Sequence, residues 1–329
     1  MTQPVSLPSH ADILDAAKRL EGHAVRTPLL RNDQLDARTG ARIFVKAECL
    51  QRTGSFKFRG AFNRISRLDD AEKERGILAY SSGNHAQGVA AAARINGTTA
   101  KILMPADAPR SKVEGVVFWG GEVVTYDRGT ESREKIGQAI AAAEGRVLVP
   151  PYEDPFVIAG QGTAGLEAAQ QLRARGESPD IVVCCAGGGG LIAGVGLAMR
   201  DAFPGVEIWA AEPEGFDDHR RSLASGKRET NERLTGSICD AIITPTPGVM
   251  TWALNASQLT GGAAISDDNA LDAVATAWRH LKIVVEPGGA AALAAVLSHK
   301  LDIADKTVCV LATGGNVDPA VFQQALQRV

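Results

Sequence analysis

A chain of 329 residues exceeds the ~250–300 at which one hydrophobic core stops growing, so two domains or lobes are expected. Its formal net charge of −3, from 35 Lys and Arg against 38 Asp and Glu spread along the chain, excludes the electrostatic footprint of a nucleic-acid or anionic-membrane binder and points to a small-molecule partner. Cys49, Cys184, Cys185, Cys239 and Cys309 make no C-x-x-C pair, the first residues carry no apolar signal core, and no apolar run reaches the ~18 residues of a membrane span; a soluble cytoplasmic protein is expected.

Short runs of Val, Ile and Leu alternate with alanine-rich stretches, the pattern of an α/β protein with a largely parallel sheet. In chain order, strands are expected at ARIFVKA (41–47), GILAYS (76–81), AKILMP (100–105), EVVTYD (122–127), DIVVCCA (180–186), VEIWAAE (206–212) and TVCVLA (307–312). Helices are expected at HAQGVAAAARING (85–97), SREKIGQAIAAAEG (132–145), TAGLEAAQQLRARG (163–176), DDNALDAVATAWRHLKI (267–283) and GGAAALAAVLSHK (288–300). No internal repeat or long linker separates them, so a second lobe is expected as an insertion.

Three strand-to-helix turns are rich in glycine and polar groups. After 180–186 come Gly187, Gly188, Gly189 and Gly190, which open backbone N–H groups to an anion at a helix start; a phosphate suits them. The run fits neither the dinucleotide fingerprint, lying past mid-chain, nor a P-loop, since no Lys-Ser or Lys-Thr follows. YSSGNHAQG (80–88) and LATGGNVDP (311–319) are the other two turns, and in an open parallel sheet such turns gather at the carboxyl edge around one pocket. A fourth feature is TGSFKFRGA (53–61), where Lys57 lies between Phe56 and Phe58. Read alone it is an ordinary solvated lysine; apolar neighbours would lower its pKa and make it a usable nucleophile or base.

GSFKFRGA, SSGNHAQG, GGGGL and TGGN, in this order and spacing over nearly the whole chain, resemble the fold type II pyridoxal-phosphate enzymes, in particular the serine/threonine dehydratase and serine racemase family. The resemblance implies two open, twisted, mostly parallel sheets flanked by helices, a large cofactor-binding lobe from residues 1–66 and 152–329, and a small lobe inserted at 67–151. It implies that Lys57 forms the Schiff base with the cofactor aldehyde, that Phe56 packs on the pyridine ring, that Gly187, Gly188, Gly189 and Gly190 bind the phosphate, and that Leu191 belongs to the cofactor site. Asn84 would meet the ring hydroxyl and Thr313 the ring nitrogen. Ser81, Ser82, Asn84 and His85 would hold the substrate carboxylate, and Ser82 matches the opposite-face acid/base of the racemases. Glu212, Asp218 and the carbonyl of Phe216, in AAEPEGFDDHRRS, match a divalent-cation site for Mg²⁺ or Ca²⁺.

The expected reaction is β-elimination: dehydration and deamination of L-threonine or L-serine to a 2-oxo acid and ammonia. Arg133 stands where the racemase and hydroxyaspartate dehydratase branches carry an arginine near the substrate side chain, which makes 3-hydroxyaspartate, giving oxaloacetate, an alternative. Serine racemisation is another, although Ala86 replaces the glycine of many racemases. The chain stops soon after TGGN, without the long regulatory extension of biosynthetic threonine deaminases, so a catabolic or racemase-type enzyme is expected. β-Replacement, as in cysteine or cystathionine synthases, and cofactor binding without turnover are the more distant readings. Family members are commonly dimers, and a homodimer is expected.

Overall fold

The protein is described by a computed structural model over residues 6–81, 83–127 and 130–328. Among these residues ten strands form: β1 (Leu29–Leu30), β2 (Arg42–Ala47), β3 (Ile77–Tyr80), β4 (Ala100–Pro105), β5 (Glu122–Tyr126), β6 (Val147–Leu148), β7 (Ile181–Cys185), β8 (Glu207–Pro213), β9 (Gly261–Ile265) and β10 (Thr307–Ala312). Six make a sheet in the order β1-β2-β10-β7-β8-β9, parallel except for β1; the others make an all-parallel sheet in the order β5-β4-β3-β6. Each expected strand is present. The sequence does not signal β1, β6 and β9: β1 and β6 are two residues long, and β9 is Gly-Gly-Ala-Ala-Ile, with almost none of the β-branched bulk that marks a strand.

Burial explains why the central strands read as unbroken apolar runs. Every residue of β7 and of β10 is buried, because helices cover both faces of the larger sheet. Its core takes in the alanine-rich helix Pro287–Leu297 and the helix Gly190–Ala202. A second core packs Phe58 and Phe62 with the helix Asn84–Ile95 and the inner residues of β3 and β4. The helix Pro155–Arg173 starts ahead of the expected 163, where Asp154 accepts from the N–H groups of Phe156 and Val157 and Pro155 takes the first turn. The helix 267–283 is shorter than expected: it gives way to a π-turn at Ala277–Leu281, ended by Lys282 in the left-handed region at φ 60°.

The helix Lys57–Ile65 lies between the two cores and is fixed by buried charge. Arg59 has no exposed surface. Its guanidinium donates to both carboxylate oxygens of Glu48 at 2.7 and 2.8 Å and to both of Glu167 at 2.8 and 2.9 Å. Lys46, also fully buried, donates to Glu167 at 2.7 Å. Burial would raise the Glu48 pKa, but the adjacent guanidinium overrides it and holds the carboxyl below its usual value. Arg59→Leu is expected to cost about 3–5 kcal/mol in urea unfolding by leaving Glu48 buried and uncompensated, and Arg59→Leu/Glu48→Leu to recover part of that loss. A single variant no less stable than a surface Arg→Leu control would refute this role.

Candidate active site

Both sheets reverse their winding direction once. From β7 the larger sheet runs to β8 and β9 on one side and to β10 on the other; from β3 the smaller runs to β4 and β5 on one side and to β6 on the other. Diverging turns leave a crevice at the carboxyl end of each such point, where ligands of open α/β sheets bind. The four turns that follow β7, β10, β3 and β6 line one cavity of about 450 Å³.

The turn after β10 is sewn to the segment before Lys57. Phe56 N–H donates to the Thr313 carbonyl at 3.1 Å, Gly315 N–H to the Gly54 carbonyl at 2.8 Å, and Asn316 Nδ2 to the Thr53 carbonyl at 2.9 Å. Lys57 is therefore presented as the first residue of its helix, with Nζ donating to the Pro151 carbonyl at 3.1 Å and 5.2 Å from the Phe56 ring centre. Burial pushes its pKa down to about 8, so a substantial fraction is neutral near physiological pH. Phe58 does not share in this. It turns into the second core, 5.6 Å from Phe62 and beneath the Arg52 guanidinium, because residues adjacent on a helix point about 100° apart.

The turn after β7 wraps a helix start. Gly189 has φ +89°, a left-handed conformation, and a side chain on Gly188 would meet the Tyr152 ring at 2.3 Å. Among the described residues the N–H groups of Gly187, Gly188, Gly189 and Gly190 have no protein acceptor, while the Gly188 carbonyl is held by Thr251 Oγ1 at 2.6 Å. Open donors at the first turn of the helix Gly190–Ala202 make an anion seat. Leu191 lines the cavity beside it. Across the switch point, Thr313 Oγ1 lies 3.2 Å from Cys185 Sγ.

From the smaller sheet come Ser81, Asn84, His85 and, from the start of the helix Arg133–Glu144, Arg133, whose guanidinium lies 5.7 Å over the Tyr80 ring. Ser82 lies outside the described residues. His85 Nε2 donates to the Val149 carbonyl at 2.9 Å, and burial, with the Lys57 charge, pushes its pKa down to about 3. The imidazole is thus neutral with a bare Nδ1, so it cannot donate to a substrate carboxylate; its backbone N–H, in the first turn of the helix Asn84–Ile95, can.

Glu212, Phe216 and Asp218 stand apart, behind the glycine turn, and gather a residue the motif comparison did not include, His219. Glu212 accepts from the N–H groups of His219 and Arg220 at 2.8 and 2.9 Å, and His219 Nδ1 lies 3.2 Å from Glu212 Oε1. Burial, then the Glu212 charge, pushes the Asp218 pKa up to about 7, and Asp218 Oδ2 is buried with no hydrogen-bond partner among the described residues, 3.8 Å from His219 Nδ1.

The cavity also contains residues the motifs did not single out: Tyr152, Cys185, Glu286, Lys112 and Asp240. Lys112 Nζ, on the helix Arg110–Phe118, meets Asp240 Oδ2 at 2.6 Å and so joins elements of the two sheets across the site. Glu286 had a legible signal, an acidic residue before the proline that opens a helix; Lys112 and Asp240 had none.

Known proteins share this arrangement. The family model described as "Pyridoxal-phosphate dependent enzyme" matches residues 20–314. L-threo-3-hydroxyaspartate ammonia-lyase of Pseudomonas sp is 42% identical, over 98% of this chain and 100% of that protein. Serine racemase of Schizosaccharomyces pombe is 36% identical over 97% of each chain. The crystal structure of a threonine deaminase from T.th. superposes with a TM-score of 0.88 at 40% identity, covering 94% of this chain and 99% of that one. A match spanning both sheets and every glycine turn leaves one assignment: this chain belongs to the pyridoxal-phosphate dependent enzymes, with the type II fold of threonine deaminases and serine racemases.

Proposed function

We propose that the cleft holds pyridoxal phosphate between the two switch points and catalyses β-elimination of a 3-hydroxy amino acid to a 2-oxo acid and ammonia. One observation carries this reading: an amine with its pKa lowered to about 8 shares a cavity with four open backbone donors and an uncharged Thr313. The residues fit the cofactor. Gly187, Gly188, Gly189, Gly190 and Leu191 suit its phosphate, Phe56 a ring face, Asn84 the ring hydroxyl and Thr313 the ring nitrogen. A cavity of about 450 Å³ lies within the range of small-molecule sites.

When bound, pyridoxal phosphate supplies the electron sink for an amino acid's α-carbon. Lys57 then serves as the base that removes the α-proton, since its amine needs little free energy to become neutral. The neutral Thr313 hydroxyl cannot hold a ring nitrogen protonated as a carboxylate would, which favours prompt loss of a β-leaving group over transamination. The Ser81 hydroxyl and the backbone N–H groups of Asn84 and His85 present donors for the substrate carboxylate at a helix start. We read residues 67–151, which contain the smaller sheet, as the small lobe, and 1–66 with 152–329 as the large one.

Arg133 favours a second reading within this chemistry. Its guanidinium lines the cavity and can pair with a second carboxylate, so 3-hydroxyaspartate is the substrate we place beside threonine and serine. Serine racemisation is the alternative drawn from the serine racemase relatives, with Ser82 as the opposite-face acid. For a cation, Glu212, Asp218 and the Phe216 carbonyl offer hard oxygen ligands for Mg²⁺ or Ca²⁺, and Asp218 Oδ2, which has no hydrogen-bond partner among the described residues, suits such an ion.

Lys57→Ala is expected to abolish turnover together with the visible absorbance of lysine-linked cofactor; retention of both would end the assignment. L-Threonine, L-serine and both 3-hydroxyaspartate diastereomers should be compared in native protein and in Arg133→Ala. A diacid preference should fall at least ~30-fold in kcat/KM in the variant, the loss of one charge pair worth ~2 kcal/mol or more. Equal loss for serine would remove the diacid reading, and D-serine appearing before pyruvate would favour the racemase. Chelation should lower the thermal midpoint of the native protein if Glu212, Phe216 and Asp218 hold a cation; an unchanged midpoint and activity would reject that site.

A further inference from the structure

Glu286 is 4% exposed, and among the described residues no cation pairs with it. A buried carboxylate without a counterion is costly, and such groups persist where their charge or hydrogen bonding is used. Its backbone is tied to the turn that carries Thr313: Glu286 N–H donates to the Gly314 carbonyl at 2.9 Å, and its own carbonyl accepts from Ala290 as the helix Pro287–Leu297 begins. The carboxylate occupies the space beside Gly314, whose Cβ, if it had one, would sit 2.0 Å from Glu286 Oε1.

The carboxylate faces the turn after β3. Glu286 Oε1 accepts a short hydrogen bond from Asn84 Nδ2. On its other side, the Asn84 amide oxygen accepts from Asn316 Nδ2 at 2.7 Å. A carboxylate only accepts, so the nitrogen of Asn84 must face Glu286 and the oxygen must face Asn316. While Glu286 is ionised, the amide cannot flip without two repulsive contacts. One of its two N–H bonds is then used, and the other remains for a ligand.

We infer that Glu286 is a positioning residue for the cofactor: its carboxylate takes one N–H of Asn84 and thereby fixes the other as the donor to the cofactor's ring hydroxyl. This rests on the assignment of Asn84 to that hydroxyl proposed above. It also gives a reason for two of the glycine-rich turns to meet, since Gly314 and Asn316 of one and Asn84 of the other all serve the orientation of one amide. Burial pushes the Glu286 pKa up to about 7, opposed by the Asn84 bond, so the accepting form remains well populated near neutral pH.

The test is cofactor retention. Native holoenzyme, Asn84→Ala, Glu286→Ala, Glu286→Gln and the Asn84→Ala/Glu286→Ala double variant are dialysed to equilibrium against graded pyridoxal phosphate, and bound cofactor and thermal midpoint are measured. Glu286→Ala should weaken binding about tenfold or more, as expected for a lost charge-assisted hydrogen bond, while Glu286→Gln, whose amide oxygen still accepts, stays within ~3-fold of native. In the Asn84→Ala background Glu286→Ala should add nothing. Native affinity in Glu286→Ala, a loss in Glu286→Gln as large as in the alanine variant, or an undiminished loss in the double variant would each overturn the inference. Native affinity in Asn84→Ala would instead remove the assignment of Asn84, and the inference with it. If Glu286→Ala does not fold, Glu286→Asp, which withdraws the acceptor by one methylene and keeps the charge, takes its place with the same expectations.

Discussion

A parallel strand delivers its last residue and the turn after it to one edge of the sheet, and only where winding reverses do neighbouring turns part to leave room for a ligand. This protein satisfies that constraint twice. β7 and β10 part at the carboxyl edge of the larger sheet, β3 and β6 at that of the smaller, and the two openings share one cavity. Each sheet therefore supplies half of the site. The larger contributes the open glycine donors and the Thr313 hydroxyl beside Cys185; the smaller contributes the helix start at Asn84 and the Pro151 carbonyl that meets Lys57.

What holds the halves in register is the helix that carries Lys57. It packs on the helix Asn84–Ile95 on one side and on Pro155–Arg173 on the other, and Arg59 fixes it axially through Glu48 and Glu167. The charged anchor lies two residues from the reactive amine yet on another face of the helix, which is why Lys57 can sit in a setting that lowers its pKa while Arg59 stays paired. Three hydrogen bonds from residues 53–56 to the turn after β10 fix the helix entry. Position, burial and approach of one amine are thus set by separate contacts.

Much of this was legible because it rests on local chemistry. Runs such as IVVCC and TVCVLA mark strands covered on both faces, and a glycine tetrad between a strand and a helix marks close backbone approach, whatever the ligand. Pairings across the fold were not legible. Phe58 is next to Lys57 in the chain, yet its direction is set by the second core; His85 belongs to a polar turn, but Val149, brought by β6, decides its proton. β6 itself leaves no trace in the sequence, because two residues carry no period. Glu286 followed the ordinary pattern of a residue before a helix-opening proline, and nothing in that pattern revealed Asn84 as its partner.

The acidic group behind the glycine turn belongs to the same logic. His219 lies between Glu212, 3.2 Å from its Nδ1, and Asn255, whose Nδ2 lies 3.4 Å from its Nε2; Asn255 in turn donates to the Gly189 carbonyl at 3.2 Å. Gly189 is walled in by these groups: a Cβ there would meet His219 Nε2 at 2.6 Å and Asn255 Nδ2 at 2.7 Å. The left-handed turn that leaves four N–H groups open is thus backed by a contiguous chain of contacts ending on Glu212 and, through it, on the start of the helix Asp218–Ser225. Two carboxylates at the far end of that chain repel each other when both are ionised, and this repulsion adds to burial in raising the Asp218 pKa. A divalent cation placed between them would remove that repulsion and stiffen the back wall of the anion seat without touching a reacting atom.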